Sequence, residues 1–173
     1  MSLPELPPEL IAEGFRVGGI DELDQSELIS FIDEILADDC MMDAHSRLER
    51  SIAKFFDDFT QGRRFCISVM QDGKLCGFTA VDRYNDTTAT LKWIFVDSDH
   101  RGRGVGAWLL DHALSFARSA NYEKIILCTA TQMEAALALY RSRGFEFKQR
   151  VTFWQRPMQV YENVLSERVS AAT

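Results

Sequence analysis

No stretch of this 173-residue chain stays apolar over the ~18–20 residues that a helical membrane span requires, so no membrane partner is expected. The N-terminus sets Pro4, Pro7 and Pro8 among Glu5 and Glu9. It lacks the basic start and apolar centre of a signal peptide, and a cytoplasmic location is the expectation. Histidine is scarce: His45, His100 and His112 lie scattered. The four cysteines, Cys40, Cys66, Cys76 and Cys128, form no C-x-x-C pair, so the sequence offers no zinc pattern and no metal is expected. Three of those cysteines fall inside apolar, strand-like runs and read as buried, reduced thiols. A basic surplus is also missing. Lys and Arg number 19 against 26 Asp and Glu, a net charge of −7, which argues against a nucleic-acid partner. There is no internal repeat and no low-complexity segment.

What the chain does have is an ordinary globular composition, 46% hydrophobic and 26% charged. Its length fits a single domain over 1–173, with 1–12 and 165–173 expected to be flexible ends. The charge is uneven. Residues 1–62 carry 15 acids against four bases, whereas residues 63–173 carry 11 acids against 15 bases. That acidic front third is either two solvated helix faces or a field that draws a cationic partner.

The periodicity divides the chain in the same place. A short strand is expected within 14–20. Leu28, Phe31, Ile32, Ile35 and Leu36 then recur at helical spacing, with Asp24 placed to cap the helix and Glu27 three residues on. Leu48, Ile52, Phe55 and Phe56 repeat the pattern before 60–62 ends it. From Phe65 the period shortens to that of strands. Runs over 65–70, 75–81 and 88–96 are joined at Asp72-Gly73, a hairpin signal because both residues must take positive φ, and at Asn85-Asp86. A helix over 105–120, a strand over 124–129, a helix over 133–143 closed by Gly144, and strands over 145–154 and 158–164 complete the order. An antiparallel meander followed by a β-loop-α-β crossover implies a mixed, mostly antiparallel α/β sheet with helices on both faces.

The most informative segment runs from Phe95 to Ala107, where a strand ends and Gly102, Gly104 and Gly106 open a helix beside Arg101 and Arg103. A helix N-terminus presents unpaired N–H groups at its positive end, glycine lets backbone approach an anion, and guanidinium adds charged donors. This is a diphosphate cradle. Taken alone it leaves alternatives open. Residues 102–107 also fit the dinucleotide fingerprint G-x-G-x-x-A, although the acid expected at the end of the next strand is absent from Cys128-Thr129-Ala130. No G-K-[ST] supports a Walker loop. A purely structural glycine turn is the remaining reading.

Two motifs in order carry a family resemblance. Arg101-Gly-Arg-Gly104-Val-Gly106 fits the [QR]-x-x-G-x-[GA] signature of the GNAT N-acetyltransferases, and Ala136-Leu-Ala-Leu-Tyr140-Arg-Ser-Arg-Gly144-Phe145 resembles that superfamily's A-x-x-L-Y-x-x-x-G-F block. The resemblance is strong over 64–150 and weaker in the N-terminal helices, which in this family shape the acceptor side. Residues 91–144 look most like acetyltransferase domains that elsewhere follow a winged-helix regulator. The resemblance implies a GNAT-like sheet of about seven strands and acetyl-CoA as co-substrate. It implies that the backbone of Ile94, Phe95 and Val96 pairs with the pantetheine arm. The N–H groups of Gly102, Arg103, Gly104, Val105, Gly106 and Ala107, with the Arg101 side chain, then hold the pyrophosphate. Tyr140 matches the general acid that protonates the departing thiolate.

This chain departs from the pattern at two positions. Met133 stands where many members have Asn, and the strand over 91–96 lacks the Glu that often serves as base, offering only Lys92 before Asp97. Asp82, Asp97 and a water molecule stay open as the base, and Phe153, Trp154 and Tyr161 are candidates to line the acceptor cleft. The expected reaction is direct acetyl transfer to a small primary amine. The acidic balance, with Asp38, Asp39, Asp43, Asp57 and Asp58 near helix ends, leads to the expectation of a cationic amine. A non-catalytic acyl-CoA-binding or sensing module is the alternative, which the intact Tyr140 disfavours; a nicotinamide-dependent oxidoreductase is a third reading. A homodimer is left open.

Overall fold

The structure is a computed structural model that describes residues 3–40, 45–59, 62–130, 133–153 and 155–165, without the side chains of 38–40 and 45. The N-terminal residues form a one-turn helix α1 (Pro8–Ala12), strand β1 (Phe15–Gly18), then helices α2 (Gln25–Cys40) and α3 (His45–Asp57). The meander follows as β2 (Phe65–Gln71), β3 (Lys74–Arg83) and β4 (Thr88–Val96). Helix α4 (Val105–Ser119), strand β5 (Lys124–Ala130), helix α5 (Glu134–Ser142) and the hairpin β6 (Glu146–Phe153) and β7 (Arg156–Val164) complete the chain. The seven strands form one sheet in the order β1-β2-β3-β4-β5-β7-β6, with β4–β5 as the one parallel pair.

Local chemistry sets the boundaries. The Asp24 carboxylate accepts the Glu27 N–H at 2.9 Å and starts α2. Asp72 and Gly73 take φ of 51° and 77°, the twist a two-residue hairpin needs. Asn85 accepts the N–H groups of Thr87 and Thr88 at 3.0 and 2.8 Å, so its side chain builds the next turn. Gly144 ends α5 with φ of 88°.

Strand alternation divides the core into two layers. On one face Leu109, Leu110, Ala113, Phe116 and Ala117 of α4 pack with Leu137 and Tyr140 of α5 onto Ile67, Cys76, Val81 and Ile125. On the other, Leu28, Ile32, Leu48, Ile52 and Phe55 of α2 and α3 cover Met70, Phe78 and Trp93. Residues 3–12, expected to belong to a flexible end, are packed against the sheet and α4. Leu6 and Leu10 are buried, and the Glu5 carbonyl accepts the Trp108 indole N–H at 3.2 Å. The sequence pattern hid this because α1 is too short to show a period. The tail over 166–173 and Trp154 lie outside the described residues.

Helix α4 approaches β3 at Gly77, where a Cβ would stand 3.1 Å from both Leu109 Cδ1 and Val105 Cγ1. Both side chains are fully enclosed and have little room to yield. Gly77→Val is therefore expected to cost ~1–3 kcal/mol, the usual range for overpacking. A denaturant midpoint shifted down with an unchanged slope is the expected result, and an unshifted midpoint contradicts the close approach.

Candidate active site

The site begins where two strands part. β4 pairs with β5 only from Thr88↔Lys124 to Thr90↔Ile126, while on its other edge β4 stays paired with β3 as far as Val96. The register against β3 jumps from Val81↔Leu91 to Ala80↔Trp93, so Lys92 is the extra residue of a bulge. A bulge bends its strand and increases its twist. From Leu91 onward the β5-facing edge of β4 has no strand partner among the described residues, and β5 continues against β7. The wedge between them holds two cavities.

The first, about 540 Å³, is walled by Ile94, Phe95 and Val96 of β4, by Arg101, Gly102, Gly104, Gly106 and Ala107, and by Met133, Leu139 and Tyr140. Gly104 caps α4 with φ of 86° and has no side chain to bond the helix's first turn. Gly102 is also left-handed, with φ of 76°, and a Cβ at Gly102 or Gly104 would meet no atom within 4 Å: both face open space. Arg101 Nε donates to the Val96 carbonyl at 3.0 Å, tying the loop to the strand end while the side chain still lines the cavity. Unpaired N–H groups, a helix dipole and a guanidinium thus converge on one concave surface, which suits a diphosphate. The donor set fits the adenine-nucleotide end of CoA, and the free edge of β4 fits an extended amide-bearing arm.

The second cavity, about 410 Å³, lies on the other side of Tyr140. Its wall includes Leu36, Leu48, Trp93, Cys128, Phe153 and Met158. Ile94, Phe95, Met133 and Tyr140 line both cavities, so the two meet there. Tyr140 is 6% exposed and stands edge-on to Phe145 at 5.8 Å. Burial pushes its phenol well above the usual tyrosine range. No side-chain polar atom described is both fully buried and unpaired, so the hydroxyl faces cavity space. It can donate a proton where the two cavities join.

Of the eleven site residues expected from sequence, nine line the first cavity and two do not. Arg103 points away: it pairs with Glu13 at 2.8 Å and lies over the Phe15 ring. Val105 is buried in the core beneath the loop, where it anchors α4 against β3 and leaves only its backbone N–H for a ligand. Sequence reasoning missed Ile35, Glu134, Ala135, Ala136 and Leu139. The start of α5 was readable as a second helix N-terminus beside the first, since both follow neighbouring parallel strands. Ile35 arrives from the opposite layer, and no local pattern announces it.

Neither carboxylate considered as base lines a cavity. Asp82 lies between Arg64 at 2.6 Å and Lys92 at 3.4 Å, and Asp97 accepts from His100 at 2.7 Å. Tyr161 is buried in the core, whereas Phe153 lines the second cavity. Cys128, expected to be buried, is exposed on the second cavity's wall. The histidine and cysteine read as scattered do meet in one case: Cys76 Sγ lies 3.6 Å from His100 Nε2, with Asp97 on the other ring nitrogen. Chain separation hid that cluster.

The sequence profile of the acetyltransferase (GNAT) family matches residues 29–145. The chain belongs to this family. Its seven-stranded sheet is that family's fold. The N-alpha-acetyltransferase RimI of Mycobacterium tuberculosis is 33% identical over 97 residues, 54% of this chain and 60% of that protein. The chain spans less than two thirds of the length of the curated relatives it matches. An acetyltransferase of Streptococcus agalactiae superimposes with a TM-score of 0.78 at 21% identity, over 88% of this chain and 99% of that one. A Salmonella typhimurium protein solved with its cofactor acetyl-CoA superimposes at 0.73 and 16% identity, over 91% and 97%. These likenesses show the fold. No described helix of this GNAT chain is long and apolar enough to cross a membrane.

The buried phenol has a consequence for pH. Its folded pKa lies above the unfolded value of ~10, so its burial contributes stability that is fully present below ~10 and is lost as pH rises through the folded value. Tyr140→Phe is expected to flatten the loss of thermal stability above pH ~10. Melting curves across alkaline pH check this, and identical slopes for both proteins contradict the enclosed phenol.

Proposed function

We propose that this chain, acting as a single acetyltransferase domain, transfers acetyl from acetyl-CoA to the primary amine of a small molecule, with Tyr140 as general acid. The observation that carries the reading is the meeting of two cavities at Tyr140, one walled by the glycine loop and the free edge of β4, the other by apolar side chains. Acetyl-CoA supplies an acetyl group activated as a thioester. Ile94 to Val96 offer backbone donors and acceptors to its extended arm, as an added strand would. The N–H groups from Gly102 to Ala107 and the Arg101 guanidinium hold its diphosphate.

The amine enters from the second cavity and its nitrogen attacks the thioester carbon. A backbone N–H near Val96 stabilises the negative charge that develops on the carbonyl oxygen. The C–N bond forms and the C–S bond breaks. Tyr140 gives its proton to the departing sulfur, and the proton released from nitrogen as the amide forms restores the phenol. Burial keeps the phenol protonated across the working range and also makes it a weaker acid, so the proton passes as the C–S bond breaks and charge builds on sulfur. The non-catalytic alternative leaves that hydroxyl on the cavity surface unexplained.

The test pairs two variants. Gly106 sits in the first turn of α4, where a Cβ would make ordinary contacts of 3.6 Å to Val96 and 3.7 Å to Leu139. Gly106→Val therefore keeps the fold and crowds the cavity, and it is expected to weaken CoA binding at least about tenfold by calorimetry, or ~1.4 kcal/mol. Tyr140→Phe is expected to leave CoA binding intact and to lower kcat by ~10²–10⁴, the range for a positioned acid. Unchanged CoA affinity in folded Gly106→Val removes the loop assignment, and an unchanged kcat in Tyr140→Phe returns Tyr140 to packing.

A further inference from the structure

The expectation of a cationic acceptor finds no carboxylate among the described residues of the second cavity's wall. Among the described residues, Lys92 is the one charged side chain that lines the second cavity, and no carboxylate does. The acids that motivated the expectation are placed elsewhere or outside the description. Asp58 is paired with Lys54, Asp57 is exposed and lines neither cavity, the side chains of Asp38 and Asp39 are not described, and Asp43 is outside the described residues. From α2 and α3 the cavity receives Ile32, Leu36, Leu48 and Ser51; from β6 and β7, Phe153 and Met158. Among the described residues, the titratable groups that face it are Lys92 on β4, Cys128 on β5 and Tyr140 on α5. Glu134, at the start of α5, lines only the first cavity. The Trp93 ring, the natural seat for a cation, already carries the Lys92 ammonium 5.0 Å from its centroid, and Asp82 holds that ammonium in place.

Resting on the acetyl-transfer reading, we propose that the second cavity takes a primary amine carried on an apolar, aromatic-sized body and binds it as the uncharged free base, with no protein carboxylate needed to deprotonate it. The physical argument is desolvation. An ammonium that leaves water for an apolar wall without a carboxylate partner is strongly disfavoured against its neutral form, and the neighbouring Lys92 charge disfavours it further. The proton goes to bulk solvent on binding. The nitrogen arrives with its lone pair free, which the attack on the thioester requires. This accounts for the missing Glu on β4: the cavity does by exclusion what a general base does by proton transfer. Its volume of about 410 Å³ suits a small molecule with one ring.

Proton linkage gives a direct readout that needs no turnover. Phenethylamine is titrated calorimetrically into the full chain, with and without saturating CoA, at several pH values and in buffers of different ionisation enthalpy. Its side-chain-difluorinated analogue, a much weaker base of nearly the same shape, is titrated in parallel. The expected Kd falls about tenfold per pH unit below each amine's own pKa, with one proton released per amine bound, and the break shifts downward with the weaker base. Spermidine and aspartate are expected to bind at least about tenfold more weakly. Phe153→Ala is expected to raise the Kd for phenethylamine several-fold without changing that for CoA.

A pH-independent Kd, a break at the same pH for both amines, a preference for spermidine or aspartate, or no phenethylamine binding each overturns the inference. Failure to bind CoA overturns the acetyl-transfer reading instead, and the titrations without CoA still judge the cavity.

Discussion

Everything functional in this molecule follows from one failure of strand pairing. A parallel pair buried on both faces usually zips along its length, because each unpaired backbone group there costs free energy. Here pairing stops after Thr90↔Ile126, and the extra residue Lys92 bends β4 away from β5. The bulge is stabilised from outside the ladder. Lys92 is held by Asp82, which Arg64 holds in turn, and Trp93 is packed between Phe55 and Phe78. The parted strands leave a free backbone edge, and that edge separates a polar cavity from an apolar one.

The two cavities divide the chemistry by dielectric. In the first cavity, the α4 N-terminus and Arg101 supply fixed positive potential, and left-handed glycines keep side chains out of the way. On the other side, aliphatic and aromatic groups from α2, α3, β4, β5, α5, β6 and β7 line the wall. Tyr140 stands at the boundary because α5 crosses it, with Phe145 beside the ring and Gly144 turning the chain immediately below. Its burial raises the pKa of the phenol, so the packing that places the side chain at the boundary also sets its acidity.

The legible parts of the fold were those specified by short-range chemistry. The Asp72-Gly73 turn, the Asp24 cap, the Gly144 stop and the amphipathic faces of α2, α3 and α4 are each written in a few adjacent residues. The glycine loop was legible for the same reason, and Tyr140 was reached through a motif. What stayed hidden depends on tertiary geometry. Arg103 has the same local setting as Arg101, and only the position of Glu13, 90 residues away, turns it from the cavity. Net charge leaves the acceptor side open, because a count of acids over 1–62 does not say which of them face the wedge. The packing of residues 3–12 was not legible because Leu6 and Leu10 find their core partners far along the chain.

The account stands on two ligand sites that share one wall. Amide and side-chain chemical shifts, followed in the 173-residue chain as CoA and then phenethylamine are added, test this most directly. CoA is expected to move Gly102, Gly104, Gly106 and Ala107. The amine is expected to move Leu48, Trp93, Cys128 and Met158, and both ligands are expected to perturb Ile94, Phe95, Met133 and Tyr140. CoA shifts centred on the apolar cavity, or amine shifts with no overlap at Tyr140, contradict it.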